Sequence, residues 1–122
     1  MGADPVTLTA NQVDEALVEW WLDQRNLART GSSEDYAWEN ISYQPGVEIL
    51  PIGYVTVVED YNEEFHTDRY VVISIETPAG KQYFKRNGWR QSHYGSELDG
   101  PTVEVVPEQK TITIWNTKEG NE

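Results

Sequence analysis

The chain has no cysteine, which excludes a disulfide framework and any thiolate-ligated metal centre. Positive charge is scarce. Nine Lys and Arg stand against 21 Asp and Glu in 122 residues, a formal charge of −12. A surface of that sign repels nucleic-acid backbone and anionic lipid, so neither is an expected partner. No apolar run is longer than a few residues, so nothing reads as a membrane span. The opening MGADPVTLTA lacks the basic and apolar regions of a secretory leader, and the expected location is the cytoplasm. His66 and His93 are the only imidazoles, without H-E-x-x-H spacing, so zinc has little to bind. The phosphate-binding patterns G-x-x-x-x-G-K-[ST] and G-x-G-x-x-G and the hydrolase elbow G-x-S-x-G are also missing, which leaves nucleotide hydrolysis and elbow-type serine catalysis without sequence support.

Large rings, by contrast, are plentiful: five Trp, seven Tyr and two Phe. That is too much aromatic surface for a disordered acidic tail. The length suits one domain over 1–122, with 1–8 and 116–122 as frayed ends. One N-terminal helix is predicted over about 9–29. Thr9 and Gln12 match a capping box, and Leu8 and Val13 are placed for a hydrophobic staple. Asp14 and Glu15 near the start, and Arg25 and Arg29 near the end, complement the helix dipole. Gly31 offers a left-handed stop. Val13, Ala16, Leu17, Trp20, Gln24 and Leu27 share the face that docks on a sheet. Val18 and Leu22 point away from it, with Trp21 between. Either the segment 32–52 folds over that side, or these three residues contact a partner or a second copy.

Residues 31–46 show neither a long helix nor a strand, with Trp38, Ile41 and Tyr43 as anchors to the core. Strands follow: a short one at Val47–Leu50, then Tyr54–Glu59, then Arg69–Glu76 with Val71, Ile73 and Ile75 on one face. The turn Thr77-Pro78-Ala79-Gly80 leads into Lys81–Arg86. Asp60–Asp68 and Asn87–Pro101 read as loops. Thr102–Val106 and Lys110–Trp115 read as a last hairpin joined by Pro107-Glu108-Gln109. The expected fold class is α+β: one N-terminal helix packed on an antiparallel sheet of five to six strands.

Charge is segregated along the chain. Residues 77–95 hold Lys81, Lys85, Arg86 and Arg90 and no acid, among Tyr83, Phe84, Trp89, His93 and Tyr94. Cations interleaved with rings suit a planar anion, so Lys85, Arg86, Trp89, Arg90 and His93 form a candidate site for a nucleotide-like ligand. The competing account is that these cations neutralise neighbouring acids inside the fold. Asp60 to Asp68 begins like a calcium loop, but Phe65 occupies the sharp-turn Gly position and Val71 the bidentate Glu position. Ser92, His93 and Asp99 are the letters of a catalytic triad crowded into one loop, without separately supported members. No cofactor, no metal and no enzymatic activity are expected. Acids at Glu59, Asp60, Glu63, Glu64 and Asp68 form a candidate partner-binding face, which can imitate a phosphate array.

The stretch Gly88-Trp-Arg-Gln-Ser-His-Tyr-Gly-Ser-Glu-Leu-Asp-Gly100, followed by Val103-Glu-Val-Val-Pro-Glu-Gln-Lys-Thr-Ile-Thr-Ile-Trp115, resembles small uncharacterised accessory proteins of tailed bacteriophages, over about 70–115. The resemblance implies a phage-encoded factor acting in the host cytoplasm, and carries over no site residues. In size and charge the chain is also similar to anti-restriction and anti-CRISPR inhibitors. The expected function is therefore a non-enzymatic acidic binding protein engaging a host or phage protein, as a DNA mimic that occupies a nucleic-acid enzyme. The alternatives are a small-ligand module built on 81–94 and a self-associating virion assembly component.

Overall fold

The computed structural model describes residues 7–62, 68–91, 95–109 and 111–118. Helix α1 spans Ala10–Arg25 and begins with the predicted capping box. The Thr9 hydroxyl accepts from the Gln12 N–H at 3.2 Å, and the Gln12 carboxamide accepts from the Thr9 N–H at 2.8 Å. The helix ends short of residue 29. Asn26 adopts a left-handed conformation at φ 54°, and its N–H and that of Leu27 bond back to helix carbonyls. Asparagine tolerates that conformation better than most side chains, so the stop falls there and not at Gly31.

A second helix, α2, occupies Ser33–Ile41, where neither a long helix nor a strand was expected. At nine residues it is too short to be stable alone, so tertiary packing decides it. Glu34 and Asp35 lie in its first turn, on the favourable side of its dipole. Ala37, Trp38 and Ile41 are its buried face.

Among the described residues six strands form one antiparallel sheet. They are β1 Val47–Ile49, β2 Gly53–Tyr61, β3 Asp68–Thr77, β4 Gly80–Gln91, β5 Gly95–Glu97 and β6 Thr102–Val105. Neighbours follow chain order from β1 to β4, and β5 and β6 both pair with the far edge of β4. The turn at Pro78-Ala79 closes the β3–β4 hairpin, with Thr77 opposite Gly80. The α+β class stands, with two helices in place of one.

Three boundaries differ from the sequence reading. Strand β2 runs on through Tyr61 and β3 starts at Asp68, so the expected loop 60–68 is shorter; Glu63 and Glu64 lie outside the described residues. Strand β4 continues to Gln91, through a stretch read as loop because of its glycines. Gly88 is inside that strand because β5 passes so close: a Cβ there would collide with the Glu97 carbonyl oxygen and lie 2.8 Å from Leu98 Cα. Finally, the expected strand Lys110–Trp115 pairs with nothing among the described residues, and 111–118 run without secondary structure.

Val71, Ile73 and Ile75 of β3 are fully buried, as their alternation predicts. They join Val55, Phe84 and Leu98 in one core with Val13, Leu17, Val18, Trp38 and Ile41 of the helices. Both helices therefore cover the same face of the sheet. Gln24 and Leu27 are exposed, since α1 ends before its docking stripe reaches Leu27. The side of α1 left open in the sequence reading is met by α2. Val18 is completely buried, Leu22 packs on the core, and Trp21 stacks on Tyr36 with ring centroids 5.6 Å apart. Val18 is thus a core residue, unavailable to a partner or second copy.

Candidate interaction surface

Two arginines on the helix-covered face of the sheet, Arg69 of β3 and Arg86 of β4, are almost wholly buried. A buried guanidinium needs nearly all of its donors satisfied, and the acids of both helices do this. Arg86 bonds the Leu98 carbonyl at 2.8 Å, Thr102 Oγ1 at 3.0 Å, Asp35 at 2.8 Å and Glu34 at 3.4 Å. Asp14 lies 3.8 Å from the same guanidinium. The Asp14 Oδ1 atom also accepts from Trp38 Nε1 and Thr102 Oγ1, each at 2.8 Å. Asp14 therefore ties α1, α2, β4 and β6 together. Arg69 makes a two-pronged contact with Glu39, bonds Ser96 Oγ at 3.1 Å, and has Asp60 at 3.9 Å.

The protonation energetics around Arg69 differ between its two acids. Burial pushes the Glu39 carboxyl up, but hydrogen bonds from Arg69 and Tyr43 outweigh it and hold the group below the usual carboxylate range. Burial also raises Asp60; there the Arg69 charge only partly offsets it, and the Glu39 charge adds to the rise. Asp60 is therefore in part an internal counter-charge. A cleft of about 260 Å³ opens beside this cluster, lined by Asp35, Tyr36, Glu39, Tyr43 and Ser96 among others. Its carboxylates at Asp35 and Glu39 are already engaged by Arg86 and Arg69.

The opposite face of the sheet is covered by neither helix. Register assigns its residues, because directly paired residues in antiparallel strands share a face. Tyr70, Val72, Ser74 and Glu76 of β3 point there, opposite to buried Val71, Ile73 and Ile75. Their partners are Tyr61, Glu59, Thr56 and Tyr54 on β2, and Asn87, Lys85, Tyr83 and Lys81 on β4. Trp89 lies opposite Asp68 and Glu97, while Val103 and Val105 lie opposite Lys85 and Tyr83. The result is a surface of rings and valines with carboxylates near its margins. Tyr61 and Tyr70 stack at 5.0 Å, the Lys85 ammonium sits 4.3 Å over the Tyr70 ring, and Tyr70 donates to Glu59 at 2.8 Å. That last bond, with burial and the Glu59 charge added, pushes the Tyr70 phenol up to about 12. At one end the face dips into a hollow of about 500 Å³ lined by Glu48, Tyr54, Glu76, Pro78 and Lys81.

A bulge in β2 sets which acids reach this face. Val57 pairs with Ile73, but Glu59 pairs with Val72, leaving Val58 as the extra residue. Beyond it the alternation is shifted by one. Glu59 and Tyr61 turn to the open face and Asp60 turns to Arg69. The candidate acidic face is thereby divided: Glu59 and Asp68 lie on the open side, Asp60 on the helix side. The nucleotide-like site is divided too. Lys85 and Trp89 are on the open face, whereas Arg86 and Arg90 are on the other side of β4. Arg86 is sealed by its acids, and Arg90 bonds the Asn62 carbonyl oxygen at 3.3 Å and its Oδ1 at 3.2 Å. His93 lies outside the described residues. Strand alternation cannot gather those four residues on one ligand, and the loop reading of 87–101 had concealed this.

Asp14, Glu39 and Arg69 are the structural residues that sequence reasoning missed. The available signal was charge of opposite sign on predicted core-facing positions: Arg69 is in phase with Val71, Ile73 and Ile75. What the described residues define is an α+β domain with charge-locked helices on one face of the sheet and, on the other, an aromatic surface that neither helix covers. Comparison with protein-family models, curated proteins and solved structures found no match. No helix among the described residues is long and apolar enough to cross a membrane.

Proposed function

We propose that this chain is a non-enzymatic binding protein that engages a protein partner through the uncovered face of its sheet. The observation that carries this reading is the concentration of Tyr54, Tyr70, Tyr83, Trp89, Val72 and Val103 on a face that neither helix covers. Tyrosine and tryptophan are the side chains most favoured at interface centres. Glu48, Glu59, Asp68, Glu76 and Glu97 share that face, which suits a partner with a basic surface. The non-enzymatic part of the reading is supported by the carboxylates around Arg69 and Arg86, which are engaged by those two buried guanidiniums. The resemblance to phage accessory proteins supports a phage-encoded factor in the cytoplasm of a bacterial host. The formal charge of −12 supports a DNA-mimicking inhibitor of a nucleic-acid enzyme. Exposed Glu19 and Asp23 on α1 are a competing acidic surface, whereas Glu15 beside them is paired with Arg29.

Retention of bacterial proteins on the immobilised chain tests the reading. The pair Tyr54→Ala and Trp89→Ala is expected to abolish retention of the specific partner, while Glu19→Lys with Asp23→Lys leaves it in place. Retention unaffected by the sheet-face pair would overturn the assignment. Loss with the helix pair alone would move the interface to α1 and favour charge mimicry.

A further inference from the structure

The described part of the C-terminal segment contains an alternating, strand-forming run, Thr111-Ile112-Thr113-Ile114-Trp115, that pairs with no strand among the described residues. Ile112 is 75% exposed, Ile114 71% and Trp115 91%. β-Branched and aromatic residues in alternation favour a strand, and the run has neither charge nor proline. Apolar side chains at that exposure call for a covering surface. The same chain contains an acceptor for such a strand. Among the described residues β6 pairs with β4 alone, so its outer backbone groups are an open template. Beside that edge, Val103 is exposed and Val105 is partly exposed on the same face.

Among the described residues, 111–118 pair with no strand, β6 of their own chain included. A hairpin needs a chain reversal between the two strands, and residues 106–109 show neither a turn nor a bend. Fully extended at about 3.3 Å each, the eight described residues 111–118 would reach roughly 26 Å. That is long enough to reach a neighbouring molecule.

We infer that residues 111–115 of one copy add as an antiparallel strand to the β6 edge of a second copy, and that the exchange is reciprocal. Donor and acceptor are present once in every chain, so a two-fold pair satisfies both arms and both edges and closes the assembly. The exchange covers the exposed isoleucines and Trp115 and blocks a sheet edge otherwise open to uncontrolled pairing. It uses the edge of the sheet, leaving Tyr54 and Trp89 outside the seam.

The chain has no native cysteine, so its geometry is testable by single introduced thiols. The full chain is expected to sediment as a dimer, and Ile112→Lys with Ile114→Lys to convert it to a monomer with an unchanged far-UV spectrum. Mixing Glu104→Cys with Thr113→Cys is expected to give a disulfide-linked heterodimer under mild oxidation. A monomer at every concentration, or a dimer that persists in the double-lysine variant, would overturn the proposal. A monomer in which Glu104→Cys and Thr113→Cys within one chain cross-link internally would show a hairpin in its place.

Discussion

Asp14 stands in the second turn of α1, where a carboxylate in so acidic a chain looks like one more solvent-facing group. Its neighbours Val13, Ala16 and Leu17 belong to the buried stripe, however, and the helix angle carries Asp14 inward beside them. There it receives Trp38 and Thr102 and faces Arg86. An acid in this position is costly without partners and stabilising with them. Asp14→Ala leaves the Trp38 and Thr102 donors without their acceptor and removes one of the three carboxylates around Arg86, and is expected to cost about 3–5 kcal/mol. Asp14→Asn retains an acceptor oxygen for Trp38 and Thr102, and its expected cost is about 1–2 kcal/mol. Urea unfolding monitored by tryptophan fluorescence separates the two. Equal losses would show that the charge, and not the hydrogen bonds, accounts for the effect.

At the scale of elements, β1 to β4 and β6 were legible, whereas α2 and β5 were not. Val71, Ile73 and Ile75 alternate with polar residues over a full strand, a pattern with one reading. Helix α2 presents Ala37, Trp38 and Ile41 inward, too few apolar positions to mark a period. Its placement depends on Glu34, Asp35 and Glu39 finding Arg86 and Arg69, residues 30 to 52 positions away, and no local pattern encodes that. The candidate interaction face was hidden for a related reason. Its members are dispersed over β2, β3, β4 and β6, and the Val58 bulge shifts the alternation midway along β2. Glycines misled in the same way: Gly88 suggested a turn, yet it is needed where β5 crosses β4. Gly88→Ala drives a methyl group into the backbone at Glu97 and Leu98 and is expected to lower stability by about 1–3 kcal/mol, as overpacking does. Gly31→Ala, with nothing within 4 Å of its added Cβ, is the control expected to show no loss. Thermal denaturation of the two variants decides whether the β4–β5 approach is as tight as the geometry requires.

For the molecule as a whole, an acidic chain with two buried arginines should depend on pH through those arginines, and the two acids beside Arg69 should contribute with opposite signs. The Glu39 carboxyl is held below its usual range in the folded protein. Its ionised form favours the fold, so its contribution is complete above the unfolded value of about 4.3 and disappears as pH falls through the lower folded value. Asp60 is raised. Its ionised form is less favourable in the folded state than in the unfolded one. The associated penalty is present at neutral pH and is relieved as pH falls through the raised folded value. Glu39→Gln is accordingly expected to destabilise the protein at pH 7 by about 2–3 kcal/mol, the scale of a charged hydrogen bond. Asp60→Asn is expected to stabilise it slightly at the same pH. Both differences from the parent should shrink in acid, where the carboxylates of folded and unfolded chains are alike protonated. Urea unfolding of the three proteins from pH 7 to pH 3 gives the curves directly. Two variants both destabilised at pH 7 would mean that Asp60 is, on balance, a stabilising partner of Arg69 and helps to hold β2 against β3.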